Sequence, residues 1–250
     1  MRIPLVSFAA IVALCVGSVA PPAWAEEEAA SVRSDQAPAP VDAPPPPLAG
    51  MPIYRPEAVG KPARTVGGGS RGPGDGFPSL YVLVPDHVAR TVSRQPTLLW
   101  YIDDVPKAGT RFEFTLLVET EDEPLAVAVL PTPTRAGIQR ITLADHGVTL
   151  EPGAEYEWNV ALVPDPEDRA KDVVSTGWID CVERPAQLEA QLAEAGPARA
   201  PFVLAQAGFW YDALAAVDAT AEGGQDPARS REMRASLLRQ VGLEKVAGKL

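Results

Sequence analysis

The chain has 250 residues, with 22 Lys and Arg against 33 Asp and Glu, and a formal charge of −11. That acidity argues against nucleic acid and anionic lipid surfaces as partners, because both recruit clusters of Lys and Arg. The length suits one good core, or a β-sandwich joined to a small helical unit.

Residues 1–25 read as a signal peptide. Arg2 precedes an uncharged apolar run from Ile3 to Ala20, and Pro21-Pro22 breaks any helix there. Ala23-Trp24-Ala25 then gives the small-x-small pattern of a signal peptidase site, just before Glu26-Glu27-Glu28. The apolar run is marginal for a membrane span, which needs about 20 residues. Cleavage is therefore the favoured reading, with an uncleaved anchor as the alternative. Leu14 stands where a lipobox would place a small residue before Cys15. The mature chain is expected to be periplasmic or secreted, away from ATP, nicotinamide pools and cytosolic reductant. After cleavage only Cys181 remains, which excludes an intramolecular disulfide and reads as a buried, inert thiol.

Residues 26–50 are acidic and Pro/Ala-rich, with Pro44 to Pro47 in a row and almost no large apolar side chains. Such a stretch is expected to be a disordered tether. Residues 51–76 are mildly basic through Tyr54-Arg55, Lys61, Arg64 and Arg71, and Gly67 to Gly72 is Gly-rich. They predict an extended arm lying on the acidic body.

Residues 77–184 alternate with a period of two, with turn residues every eight to twelve positions. Strands are predicted at Leu80–Val84, Thr97–Ile102, Arg111–Val118, around Leu125, Val127 and Val129, at Gln139–Leu143, from Tyr156 to Leu162, and at Gly177–Val182. Leu98, Trp100 and Ile102 share one face, as do Phe112, Phe114, Leu116 and Val118. Seven short strands without helical interludes predict an antiparallel immunoglobulin- or fibronectin III-like β-sandwich. The run from Leu150 to Trp158 resembles the tyrosine corner of those domains, with Tyr156 as its phenol, and Trp100 resembles their core tryptophan.

From Arg184 the period becomes helical, so residues 185–250 read as a C-terminal helical unit. Helices are predicted at Pro185–Ala195, Arg199–Ala207, Phe209–Ala221 and Ala228–Val241. Gly208 with Asp212-Ala213-Leu214 matches the junction of a tetratricopeptide-like hairpin. One such unit cannot bury its own apolar face, so it is expected to dock on the sandwich or on a partner.

Several motifs together carry a resemblance to a known family. They are Tyr54-Arg55-Pro56, the run from Val66 to Gly72, Pro96-Thr97-Leu98-Leu99-Trp100-Tyr101, Asp165 to Arg169, Gly177-Trp178-Ile179, and Gly208 to Leu214. In this order, from about residue 52 to 243, they resemble the bacterial exported domain of unknown function 928 family. The resemblance implies an exported compartment and this architecture, and it carries no reaction, ligand or catalytic residue. Several relatives have Cys where this chain has Pro164, so a disulfide from that site is excluded here.

Catalytic chemistry is poorly provisioned. His87 and His146 each follow an Asp in turn-like contexts and lack metal-ligand spacing, so both read as surface loops. Gly67-x-Gly69-x-x-Gly72 matches the dinucleotide fingerprint literally, but Pro73-Gly74 follow it instead of a helix. The loop Asp165–Asp172 holds enough carboxylate to begin a calcium site, yet Arg169 and Lys171 can neutralise it internally. A self-paired loop is favoured over calcium. No cofactor and no metal are expected.

Aromatics give the best binding hint. Phe209-Trp210-Tyr211 cannot all face one side of a helix. They pack at the helix–sandwich seam or, alternatively, form a binding platform with Trp178. The candidate binding residues are Trp178, Phe202, Trp210, Tyr211 and Leu214. The leading expectation is an exported, non-enzymatic interaction or scaffold protein of the bacterial envelope. Its partner would be another envelope protein or a cell-wall glycan. A carbohydrate- or peptidoglycan-binding module with Trp178 or Trp210 on the sugar is the second reading. A hydrolase using carboxylates of Asp165–Asp172 is the third.

Overall fold

The structure is a computed structural model that describes residues 50–57, 77–222 and 226–250. The expected signal peptide, the tether apart from Gly50, and the Gly-rich part of the arm lie outside the described residues. Among the described residues, two sheets and five α-helices make up the fold. The smaller sheet has the order β1-β3-β6, formed by Leu80–Val82, Thr97–Ile102 and Gly137–Thr142. The larger has the order β2-β8-β7-β4-β5. Its strands are Ala89–Thr91 (β2), Val173–Cys181 (β8), Glu155–Val163 (β7), Arg111–Val118 (β4) and Pro124–Leu130 (β5). Every pairing is antiparallel except β2 with β8.

Alternation along the strands decides what is buried. Phe112, Phe114 and Leu116 of β4 lie beside Trp158, Val160 and Leu162 of β7, all fully buried on one face. Trp100 of the smaller sheet packs on Phe112 of the larger, ring centroids 5.4 Å apart. A hydrogen bond from the Val82 N–H to the Ser175 hydroxyl, 2.9 Å, also joins the sheets. In β3 the opposite face is buried as well, through Leu99 and Tyr101. That face is where the helices lie.

In sequence, Leu125, Val127 and Val129 repeat the alternation of the other strands and so predict the inner face of β5, but the strand departs from it. Leu125, Val127 and Val129 are exposed, while Ala126 and Ala128 pack on the core. The register explains the reversal: Ala126 and Ala128 stand opposite Leu116 and Phe114, and Leu130 opposite Phe112, so these three share the inner face. A bulge between Leu116 and Leu117 sets that phase. The short β2 carries too little pattern to be predicted, and it brings the described strands to eight.

The helices are Ala186–Ala195 (α1), Ala200–Gln206 (α2), Trp210–Glu222 (α3), Pro227–Arg239 (α4) and Glu244–Ala247 (α5). Gly196-Pro197 closes α1, Asp226 caps α4 through the Arg229 N–H, and Pro227 starts it. α3 lies on β2 and β3. Its Asp218 accepts from Arg140 of β6 (2.5 Å) and from Arg234 of α4 (2.6 Å), tying three elements together. Among the described residues no helix is long and apolar enough to cross a membrane.

Candidate functional site

The predicted aromatic platform is mostly interior. Trp210 is fully buried and its indole N–H donates to the Leu83 carbonyl at 2.8 Å. Tyr211 is buried too: its hydroxyl donates to the Trp178 carbonyl (2.7 Å) and accepts from the Trp158 indole (3.0 Å). Burial pushes the Tyr211 phenol far above its ordinary range, which keeps it a donor. Leu214 belongs to the same core. These three residues lie buried at the seam between helices and sheets. Only Phe202 and Trp178 of the five candidates keep partial exposure.

Trp178 stands on the outer face of the larger sheet, opposite Glu157. Burial holds the Glu157 carboxyl above its usual range. Phe202 faces elsewhere, into a groove beside the helices, and the structure does not bring it together with Trp178.

That cavity is an open groove of about 1070 Å³ between α1, α2 and the arm. Leu188, Phe202, Val203 and Phe209 give it an apolar lining, and Arg55, Arg90, Arg199, Gln187, Gln191 and Glu194 supply polar groups. The local sequence explains the shape. Gly196-Pro197 ends α1 and turns the chain into α2, so Leu188 and Phe202 come to line one trough. The arm forms one wall because it is held along the helices. The Arg55 N–H donates to the Ala205 carbonyl (3.0 Å), and the Tyr54 N–H donates to Gln240 (2.9 Å). The Gln240 amide in turn donates to the Pro52 carbonyl, 2.9 Å. Arg229 reaches the Gly50 carbonyl, 2.9 Å.

Tyr54 anchors this wall. Its ring sits edge-on to Trp210 at 5.0 Å and stacks on His87, and its hydroxyl bonds His87 Nε2 at 3.0 Å. Burial raises the Tyr54 phenol, against the pull of the Arg90 charge. His87 lies in the loop between β1 and β2, as expected from sequence, but its side chain is largely covered and bonded to Tyr54 of the distant arm, a partner its turn context did not reveal. His146 is exposed, as expected.

Arg90 organises the charge in the groove. It pairs with Glu57 of the arm and with Asp180 (3.4 Å), and its guanidinium lies over the Phe209 ring. Burial raises the Asp180 carboxyl while Arg90 pulls it back down. Arg199 is exposed at the rim. Sequence reading missed Arg90 because β2 is too short to be seen, and missed Arg199 because a lone Arg at a helix start carries no signal. Arg55 lay within Tyr54-Arg55-Pro56, the arm's clearest motif.

The Asp165–Asp172 loop is internally paired. Arg169 bonds Asp172 at 2.7 Å and Glu113 at 2.8 Å, and Lys171 bonds Asp168 at 2.9 Å. Its side-chain bond and charge together hold the Asp168 carboxyl below its usual range. Among the described residues no cluster of three or more His, Cys, Asp or Glu side chains is arranged to hold a metal ion. Cys181 is fully buried in β8, and burial pushes its thiol up to about 11.

No curated protein matches the chain. Among solved structures, it is similar to Astrotactin-2, described as a conserved vertebrate-specific and perforin-like membrane protein involved in neuronal development. The identity is 13%, the match covers 68% of this chain and 36% of that one, and the TM-score is 0.27. So weak a likeness carries no argument about fold or function, and the chain spans about a third of that protein's length. Residues 66–250 match the family described as Domain of Unknown Function (DUF928). The chain belongs to that family.

Proposed function

We propose that the protein is an exported, non-enzymatic interaction protein of the bacterial envelope, and that the groove between α1, α2 and the arm receives a segment of another envelope protein. The observation that carries this is the groove's make-up. An apolar lining of Leu188, Phe202 and Val203 meets Arg55 and Arg199 at its margin, beside Glu194 and an Arg90 already paired with Glu57 and Asp180, in a chain of charge −11. Apolar surface supplies affinity, while arginines at the margin favour an acidic segment and fix its direction. The occupant is thus an acidic peptide segment with an apolar anchor. Export itself rests on the reading of residues 1–25.

The scaffold is an immunoglobulin- or fibronectin III-like sandwich with a tetratricopeptide-like helical hairpin. In support, the chain passes from the three-stranded to the five-stranded sheet between β1 and β2, and the Tyr156 hydroxyl accepts from the Glu151 N–H at 2.8 Å, as a tyrosine corner requires. Gly208, at φ +81°, makes the sharp turn between α2 and α3.

The test is capture from envelope extract by the wild-type chain and by Phe202→Asp and Arg199→Glu. Arg199 is exposed, so Arg199→Glu is expected to leave circular dichroism and melting temperature unchanged, whereas Phe202 is partly buried against the core and its variant is compared only where circular dichroism shows it folded. A discrete partner retained by wild type and lost in both variants supports the groove. Identical capture by all three, or background alone, overturns it.

A further inference from the structure

β5 ends the larger sheet, and among the described residues no strand pairs with its outer edge. It is seven residues long, and its outward side chains are Leu125 at 46%, Val127 at 64% and Val129 at 56% exposure. No charged residue occurs from Pro124 to Thr134. Natural edge strands are normally shielded by lysines, prolines, inward charges, bulges, shortness or a covering element, and here Pro124, Pro131 and the Leu116/Leu117 irregularity lie only at the ends of the stretch. The opposite edge follows that rule: β2 has three residues, carries Arg90, and lies under α3. β5 lacks these shields over Leu125–Leu130.

We propose that a second copy of the chain pairs with β5, antiparallel and centred on Val127, so that two five-stranded sheets become one across a two-fold axis. The strand is self-complementary in that register. Val127 meets its own counterpart and Leu125 meets Val129, so six apolar side chains form one stripe on a single face. Charge selects the same orientation. Glu121, Asp122 and Glu123 lie at the start of β5, and Arg135 lies beyond its end, all of them exposed. An antiparallel pair brings the acidic end of one copy towards the Arg135 end of the other, whereas a parallel pair sets the acidic ends side by side. The proposal does not rest on the groove.

Sedimentation velocity over a concentration series, on protein expressed from the full sequence, tests it. The wild-type chain is expected to be dimeric. Val127→Lys, which places two like charges opposite each other, is expected to weaken the dimer by about tenfold or more. Val127→Glu alone should do the same, and an equal mixture of the two variants should restore a dimer. Circular dichroism checks that each variant is folded, which the exposure of Val127 predicts. A wild-type chain that stays monomeric throughout overturns the proposal and leaves the edge for a strand of another protein. A dimer that Val127→Lys leaves intact, or a mixture that stays monomeric, overturns it as well.

Discussion

At the scale of single residues, the fold depends on a few polar atoms inside an apolar interior. Tyr211 is the clearest, because one hydroxyl accepts from the Trp158 indole and donates to the Trp178 carbonyl. Tyr211→Phe strands both partners, and urea unfolding should show a loss of about 2–4 kcal/mol, since each buried unpaired group costs about 1–3 kcal/mol. No change in the unfolding midpoint would mean the hydroxyl is dispensable. Gly177 makes the neighbouring point about space. A Cβ there would lie 2.8 Å from the Trp158 indole nitrogen, so Gly177→Ala should cost about 1–3 kcal/mol through displaced packing. Cys181 gives a chemical readout. A buried thiol raised to about 11 is expected to react with a thiol reagent at pH 8 only after unfolding. Prompt stoichiometric labelling of the folded protein would contradict its placement in the core.

At the scale of elements, the sequence was most legible where alternation had a buried counterpart. β3, β4 and β7 show their inner faces directly in Trp100, Phe112, Phe114 and Trp158. It was misleading at β5, where the larger apolar residues point outward and alanines face Leu116 and Phe114; pairing partners, not side-chain size, decide which face is buried. β2 was invisible because three residues give no period. The aromatics at the start of α3 posed a different problem: helical pattern says that they cannot share a face, yet Phe209, Trp210 and Tyr211 are all buried, Trp210 against Tyr54 and Leu83, which are distant in sequence. The groove residue Phe202 was found, while Arg90 depended on the strand that was not. Gly208 tests the link between arm and helices. It holds φ +81° and a Cβ would lie 2.7 Å from the Arg55 carbonyl oxygen. Gly208→Ala is therefore expected to cost about 2–4 kcal/mol and to loosen the arm, seen as faster proteolysis before residue 57. Unchanged stability and cleavage would separate the arm from the α2–α3 turn.

At the scale of the whole molecule, buried carboxylates couple stability to pH. Burial raises Asp212, against hydrogen bonds from the Val92 N–H and the Thr91 hydroxyl. A raised folded value means that the folded state holds its proton more tightly than the unfolded chain. This contribution is fully present below the ordinary carboxylate value of 3.8 and is lost as pH rises through the higher folded value. Asp212→Asn should flatten that fall in stability, measured by urea unfolding at a series of pH values; an unchanged slope would assign it to other groups. Among the described residues, sheets, helices and arm pack together and form an open groove that carries arginines on an acidic chain. The proposed entry of another envelope protein into this groove is checked by site-specific photocrosslinking in intact cells, with the probe at Gln191 in the groove and at Glu167 on the β7–β8 connection as control. One discrete adduct is expected from Gln191, absent from Glu167 and abolished by Arg199→Glu. Equal adducts from both positions, or none from Gln191, would contradict it.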